Sequence, residues 1–289
     1  MDVFIPTTVP EALQPLGQLG PGAVIVGGGT NVLRDIQIGA RKAQAIVYLG
    51  RVEALRAIEI RDRPTIGAAA THAKILREAA LSPYSSLVSI AASVGGWQTQ
   101  SVATLGGNVC NAHPGAEMAA ALLVHNAVVT LESAARGRRR MPLAAFLLGP
   151  RRLNREADEL LTSIDLDPMP EDAVDLSIKV RRRRSGDWGL LSVAVRFVVD
   201  GPRERLKDVR IAVAGAADSP FRARAAEAAL EGERLTEALA VRAGAAVGAA
   251  AKPYDDIRAS AVYRAAALPR VAAQALRLAH AAARRRSAA

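Results

Sequence analysis

The sequence predicts an α+β protein of two domains, and three observations carry that prediction. Its 289 residues exceed what one ordinary domain of about 150 needs. In the first half, short apolar runs that read as strands alternate with helical segments, punctuated by glycine clusters. After an acidic, proline-bearing stretch at Asp165–Asp175, the order changes to strands first and helices after. We therefore expect a mixed domain over residues 1–170, a linker across that stretch, and an α+β domain over 171–289.

Each element has a local reason. Ala23-Val24-Ile25-Val26 is an apolar run halted by Gly27-Gly28-Gly29, the pattern of a buried strand entering a loop. Ala45–Leu49 and Thr65–Ala68 read as further strands, and His72–Leu81 and Ser85–Val94 as helices ending near Pro or Gly. A glycine-rich passage follows at Val94–Gly107. Pro114 opens a helix through His125, with Glu117 placed to favour the positive end of its dipole. Val128–Glu132 and Arg138–Pro142 pair around Ala134–Gly137. Beyond the linker, Leu190–Val199 and Leu206–Ala214 form a hairpin through Asp200-Gly201-Pro202. Helices at Arg222–Leu230 (stopped by Gly232), Thr236–Ala251, Ser260–Ala267 and Arg270–Ala283 finish the chain.

Composition narrows the function. Half the residues are hydrophobic but only 3% are aromatic, which excludes a base-stacking RNA platform, and we expect no nucleic-acid partner. The single cysteine, Cys110, leaves no internal disulfide, no four-cysteine iron–sulfur cluster and no thiolate-rich zinc site. His72, His113, His125 and His280 lack metal-site spacing, so no metal is expected. The N-terminus has no signal-peptide pattern and no run is long enough to span a membrane, so a reduced, cytoplasmic setting is expected. A formal net charge of +10 points to anionic ligands or an acidic partner.

Two glycine loops carry the chemistry. The first is Val26-Gly27-Gly28-Gly29-Thr30-Asn31-Val32-Leu33 and the second Thr104-Leu105-Gly106-Gly107-Asn108. Glycines let consecutive amides approach an anion, while Thr and Asn add side-chain donors. A pyrophosphate held between them is one reading; a pair of tight turns is the other. Neither loop is a Rossmann fingerprint or a P-loop, since the third glycine and the Gly-Lys-Ser/Thr ending are missing.

These loops resemble those of the FAD-binding medium subunit of molybdenum hydroxylases, the group of xanthine dehydrogenase and carbon monoxide dehydrogenase. Further segments resemble that family in order along the chain. Ile66-Gly67-Ala68-Ala69-Ala70-Thr71-His72 is similar to its I-G-A-x-x-T-H, and Asn111–Glu117 to its N-A-S-P-x-x-D. Pro142–Phe146, Asp158–Leu161, Arg183–Trp188, Ala214–Ala217, Arg222-Ala223 and Ala259–Arg264 follow. Gln98-Thr99-Gln100-Ser101 departs from the family's Q-I-R-N and lacks its arginine. Asn31 stands for Asp, His113 for Ser, Glu117 for Asp and Leu153 for Thr.

The resemblance implies a two-part PCMH-type FAD-binding domain, then a carbon monoxide dehydrogenase flavoprotein C-terminal-like domain. Gly28, Gly29, Thr30 and Asn31 would hold the FAD pyrophosphate on one side, with Thr104, Gly106, Gly107 and Asn108 on the other. Val26, Gly27, Val32, Leu33, Leu105 and Glu117 complete the expected cofactor-binding set. Trp188 stands where the family commonly has Tyr or Phe near the isoalloxazine, or is a packing residue; Asp187 is a flavin-side contact or a turn residue. The implied partners are a large molybdenum-cofactor subunit and a small [2Fe–2S] subunit, with NAD, oxygen or a quinone as acceptor. Two other readings stay open: a stand-alone reductase resembling UDP-N-acetylenolpyruvoylglucosamine reductase, and a flavin-free assembly subunit.

Overall fold

The computed structural model describes residues 1–183, 186–200 and 204–287. They divide into two compact units, each described by itself below. The first comprises Met1–Leu81, Ala91–Ala112 and Asn126–Asp167; the second comprises Ser82–Ile90, His113–His125 and everything from Pro168.

The first unit opens on β1 (Asp2–Phe4), α1 (Val9–Leu19), β2 (Ala23–Val26), α2 (Val32–Gln37) and β3 (Ala45–Tyr48). The strands form a parallel sheet in the order β1-β3-β2. Leu13 and Leu16 of α1 pack with Val47 on one side, while Val24, Val26 and Ile46 meet Val32 and Ile36 on the other. β4 (Ile58–Ile60) and β5 (Pro64–Gly67) are followed along the chain by α3 (His72–Arg77), α4 (Ser85–Ser93, mostly of the second unit), α5 (Trp97–Val102) and α6 (Leu105–Cys110). β6 (Val128–Ser133) and β7 (Gly137–Pro142) pair antiparallel about the expected turn. With β10 (Leu160–Asp165) they make a five-stranded sheet, β4-β5-β10-β6-β7. α8 (Leu143–Phe146) and the two-stranded β8 (Leu147–Gly149) and β9 (Arg152–Leu153) complete the unit.

The second unit is a four-stranded antiparallel sheet of β11 (Ala173–Val180), β12 (Leu191–Asp200), β13 (Arg205–Ala214) and β14 (Phe221–Arg222). Alternate residues Val193, Val195 and Phe197 face α9 (Arg224–Leu230), α10 (Glu237–Ala249) and α11 (Ala261–Ser287), the period-2 signature of a sheet buried by helices. α7 (Glu117–Val124) packs against β12 and β13, and all eight of its residues are buried. Its ends are satisfied by charge. Glu117 sits in its first turn, while Arg210 and Arg222 donate to the carbonyls of Val124 and Leu123 at its C-terminus.

Four expectations need correction. The glycine-rich passage at 94–107 holds α5 and the start of α6, because Thr104 caps α6 by accepting the Gly107 N–H at 3.1 Å. The helix expected from Pro114 begins at Glu117. The expected linker is shorter, since Asp165 ends β10 and Asp175 lies inside β11. Buried Asp175 accepts from the Ser85 and Ser86 N–H groups at 2.8 Å each, from Ser86 Oγ at 2.5 Å and from His125 Nε2 at 3.0 Å. Burial pushes its carboxyl up, but these bonds outweigh it and hold it below the ordinary range. The last two expected helices are one, with Pro269 inside α11. A Cβ on Gly244 or Gly248 of α10 would collide with Pro269, so the proline turn is seated against two glycines. The strands flanking the expected hairpin at Asp200-Gly201-Pro202 pair antiparallel; residues 201–203 lie outside the described residues, as do 184 and 185.

His72 is fully buried in the first unit, and neither ring nitrogen has a partner among the described residues. Burial pushes it down from 6.5 to about 4. Between those values the unfolded chain binds a proton that the folded chain refuses, so stability is full above pH 6.5 and falls as pH drops toward 4. The loss reaches about 3 kcal/mol. Urea unfolding at pH 7.5 and 4.5 should show the gap between the two pH values shrinking by about that amount in His72→Phe.

Candidate flavin site

The first glycine loop is built by β2, whose Val26 side chain is buried against Val24 and Ile46. The chain then crosses the segment entering the second loop, backbone on backbone. A Cβ on Gly28 would fall on the Val102 carbonyl, and one on Gly27 would lie 2.6 Å from Thr104 Oγ1. Gly29 has φ +73°, a left-handed conformation open to glycine, and it turns the chain into α2. Among the described residues, the N–H groups of Gly28, Gly29, Thr30, Asn31 and Val32 donate to no acceptor in the chain, and Asn31 makes no side-chain cap. Five free donors in a row next to a helix start are a backbone pattern able to receive an anion.

The second loop is built differently. Thr104 bridges to Thr71, His72 N–H donates to the Ala103 carbonyl, and Leu105 and Gly106 N–H groups donate to Ala70 and Ala68. Gly107 N–H donates to Thr104 Oγ1 and Asn108 N–H to the Thr104 carbonyl. The Ile66–His72 segment is thus the floor on which this loop rests, and a Cβ on Gly106 would lie 2.7 Å from Ala68. All four amides from Leu105 to Asn108 are spent inside the protein, in contrast to the paired amide cradles that the glycine pattern suggests. What this loop offers outward is the exposed Cα face of Gly107 and the Asn108 carboxamide, whose buried Oδ1 has no partner among the described residues. Leu105 faces the core; Val32 is partly buried and Leu33 exposed. Cys110 follows, its thiol pushed up to about 11 by burial and so unreactive.

Glu117, Asp187 and Trp188 belong to the second unit. Glu117, expected among the cofactor contacts, is spent on the protein: it pairs with Lys179 at 2.8 Å and accepts the Gly189 N–H at 2.5 Å. Burial pushes its carboxyl above the ordinary range against the pull of Lys179. Asp187 accepts the Arg183 N–H at 3.2 Å, and Gly186 before it has φ +67°. The Trp188 indole lies under the Arg258 guanidinium, 4.8 Å from its centroid, and edge-on to His113 at 5.1 Å. Sequence reasoning missed Lys179 and Arg258. Arg258 immediately precedes the Ala259–Arg264 motif, so widening that motif by one residue would have included it.

A glycine loop with free amides thus follows a parallel strand and crosses the entry to a second glycine loop. Residues 1–169 match the family model described as the FAD binding domain in molybdopterin dehydrogenase, and 177–279 match the CO dehydrogenase flavoprotein C-terminal domain. The chain belongs to this FAD-binding family of molybdopterin dehydrogenases, as an oxidoreductase subunit. It is 31% identical over 242 residues to the nicotine 6-hydroxylase medium subunit of Paenarthrobacter nicotinovorans, covering 83% of each chain. It is 28% identical over 274 residues to the carbon monoxide dehydrogenase medium chain of Hydrogenophaga pseudoflava, covering 94% of each. A solved carbon monoxide dehydrogenase from that organism, lacking the Mo-pyranopterin moiety of its cofactor, has a chain matching with TM-score 0.92 and 27% identity over 97% of both. The residues here fit the family's cofactor: free amides for a pyrophosphate, a glycine face that a Cβ would fill, and an orphaned buried carboxamide oxygen.

Two glycines separate folding from binding. Gly28→Ala forces the loop crossing apart and should cost roughly 1–3 kcal/mol, read as a lowered thermal midpoint. Gly107→Val meets only Thr104 Oγ1 at 2.9 Å and should fold, yet fill the cradle and lower FAD content at least about tenfold. Normal FAD content in soluble Gly107→Val would remove the second loop from the site.

Proposed function

We propose that this chain is the FAD-binding electron-transfer subunit of a molybdenum-containing hydroxylase or dehydrogenase. The observation that carries the proposal is the unpaired N–H run from Gly28 to Val32 beside the open Gly107, in a chain of this family. These amides, with Thr30, Asn31 and Asn108, would hold the pyrophosphate; Trp188, from residues 171–289, would meet the ring. Val26, Leu105 and Gly106 serve as scaffold, and Glu117 orients the backbone at Gly189 beside Trp188. Bound FAD supplies exchange between one-electron carriers and a two-electron acceptor, chemistry that belongs to the cofactor while the protein holds and tunes it.

One cysteine cannot ligate a cluster, so the [2Fe–2S] centres belong to a small partner subunit and the molybdenum cofactor to a large one. We assign NAD, oxygen or a quinone as acceptor, a dimer of heterotrimers as assembly and a cytoplasmic setting. The domain boundary is placed near residue 170. The match of 177–279 favours this reading over a stand-alone reductase. No helix among the described residues is long and apolar enough to cross a membrane.

Expressed with its neighbouring genes, the chain should co-elute with a molybdenum-containing and an iron–sulfur subunit. Acid precipitation should leave its yellow colour in the supernatant, as for non-covalent FAD. Elution alone with full NADPH-dependent reductase turnover would overturn the assignment, and colourless protein would favour a flavin-free subunit.

A further inference from the structure

Trp188 is 40% exposed, and the segments on either side of it are held by hydrogen bonds. On its C-terminal side the Gly189 N–H is held by Glu117, itself paired with Lys179. Buried Arg264 donates to the carbonyls of Leu190 and Gly215, anchoring the same segment. On its N-terminal side Asp187 accepts the Arg183 N–H, and Arg182 donates to the Ile257 carbonyl at 2.7 Å. The ring itself lies against Arg258 and the edge of His113. His113 is oriented in turn: its Nδ1 accepts the Gly115 N–H at 3.0 Å, and its Nε2 lies 3.4 Å from the Arg258 guanidinium.

Asp256 takes Arg258 on Oδ2 at 3.0 Å and Arg264 on Oδ1 at 2.8 Å, so two guanidinium groups share one carboxylate. The N–H groups of Arg258 and Ala259 also donate to Asp256 Oδ1, which fixes that carboxylate and through it the guanidinium over the indole. An aromatic ring immobilised before its ligand arrives avoids the ordering cost of stacking. Arginine keeps its charge at any accessible pH.

We propose that Arg258 is a positioning residue of the flavin site, fixing the Trp188 indole for stacking and favouring the reduced isoalloxazine through its positive charge. The proposal rests on the reading of Trp188 given above. A cation near the ring favours whichever form carries more negative charge, so loss of Arg258 should favour oxidised over anionic reduced flavin. Arg258→Lys keeps the charge without the flat guanidinium, so the electrostatic and positioning effects separate.

The test uses the purified full chain with FAD as the probe. Trp97→Phe leaves Trp188 as the single indole. In that background FAD should quench Trp188 emission stoichiometrically. Adding Arg258→Met should keep one acid-releasable FAD per chain, weaken the quenching, and lower the ratio of reduced to oxidised flavin about tenfold at a fixed dye poise. Arg258→Lys should restore the ratio but not the quenching. Bound FAD with unchanged quenching and ratio in Arg258→Met overturns the Arg258 proposal while leaving Trp188 in place. Bound FAD with no quenching in Trp97→Phe alone overturns the Trp188 reading and the proposal with it. Should Arg258→Met fail to fold, Arg258→Lys decides: altered quenching at a normal ratio supports the proposal, and unaltered quenching overturns it.

Discussion

The crossing of two backbone segments, with Gly28 seated on the Val102 carbonyl, is the constraint on which the rest of the first unit depends. No side chain can stand at that point, so the strand ending at Val26 and the helix beginning at Leu105 are brought close together. The same closeness explains why the two loops divide their labour. The second loop spends its amides on Ala68, Ala70 and Thr104 and becomes rigid; the first keeps its amides free because it has only to turn at Gly29 and enter α2. A cradle needs both properties, unpaired donors and a support that does not yield when they are engaged.

The second unit solves a different problem, burying charge in a protein poor in aromatics. Arg196 and Arg210 stand directly opposite each other on neighbouring strands, a destabilising arrangement for like charges. Asp208 answers it, accepting from Arg210 at 2.8 and 3.0 Å and lying 3.4 Å from Arg196. Arg222 pairs with Glu227 at 2.5 Å while also capping α7. Removing one partner from such a network strands a buried charge, which costs more than the pair itself contributes. Small residues make the rest possible: Ala194 and Ala212 are buried on the strands that α7 packs against, and Gly244 and Gly248 admit Pro269.

Much was legible in the residues themselves because it is governed by short-range rules. Strand β2 and its glycine stop, the β6–β7 hairpin, and the antiparallel pairing of β12 with β13 follow from alternation and turn chemistry. Cys110 as the single thiol excluded an iron–sulfur site without reference to any fold. The two glycine loops marked places where the backbone either turns tightly or lets its amides approach an anion, since glycine permits both.

What only the tertiary structure decided is where each glycine's missing Cβ would have gone, and which donors remain unpaired. Gly28 and Gly106 are spent on packing and Gly107 faces outward, although the three are alike as letters. Glu117 reads as a cofactor contact until Lys179 and Gly189 are found on it, 62 and 72 positions away. Asp175 reads as linker acidity until Ser86 and His125, drawn from earlier segments of the chain, converge on its carboxylate. The reason is physical: alternation, capping and turn preference act between neighbours in sequence, whereas the satisfaction of a buried donor or charge depends on partners that only the folded chain brings together.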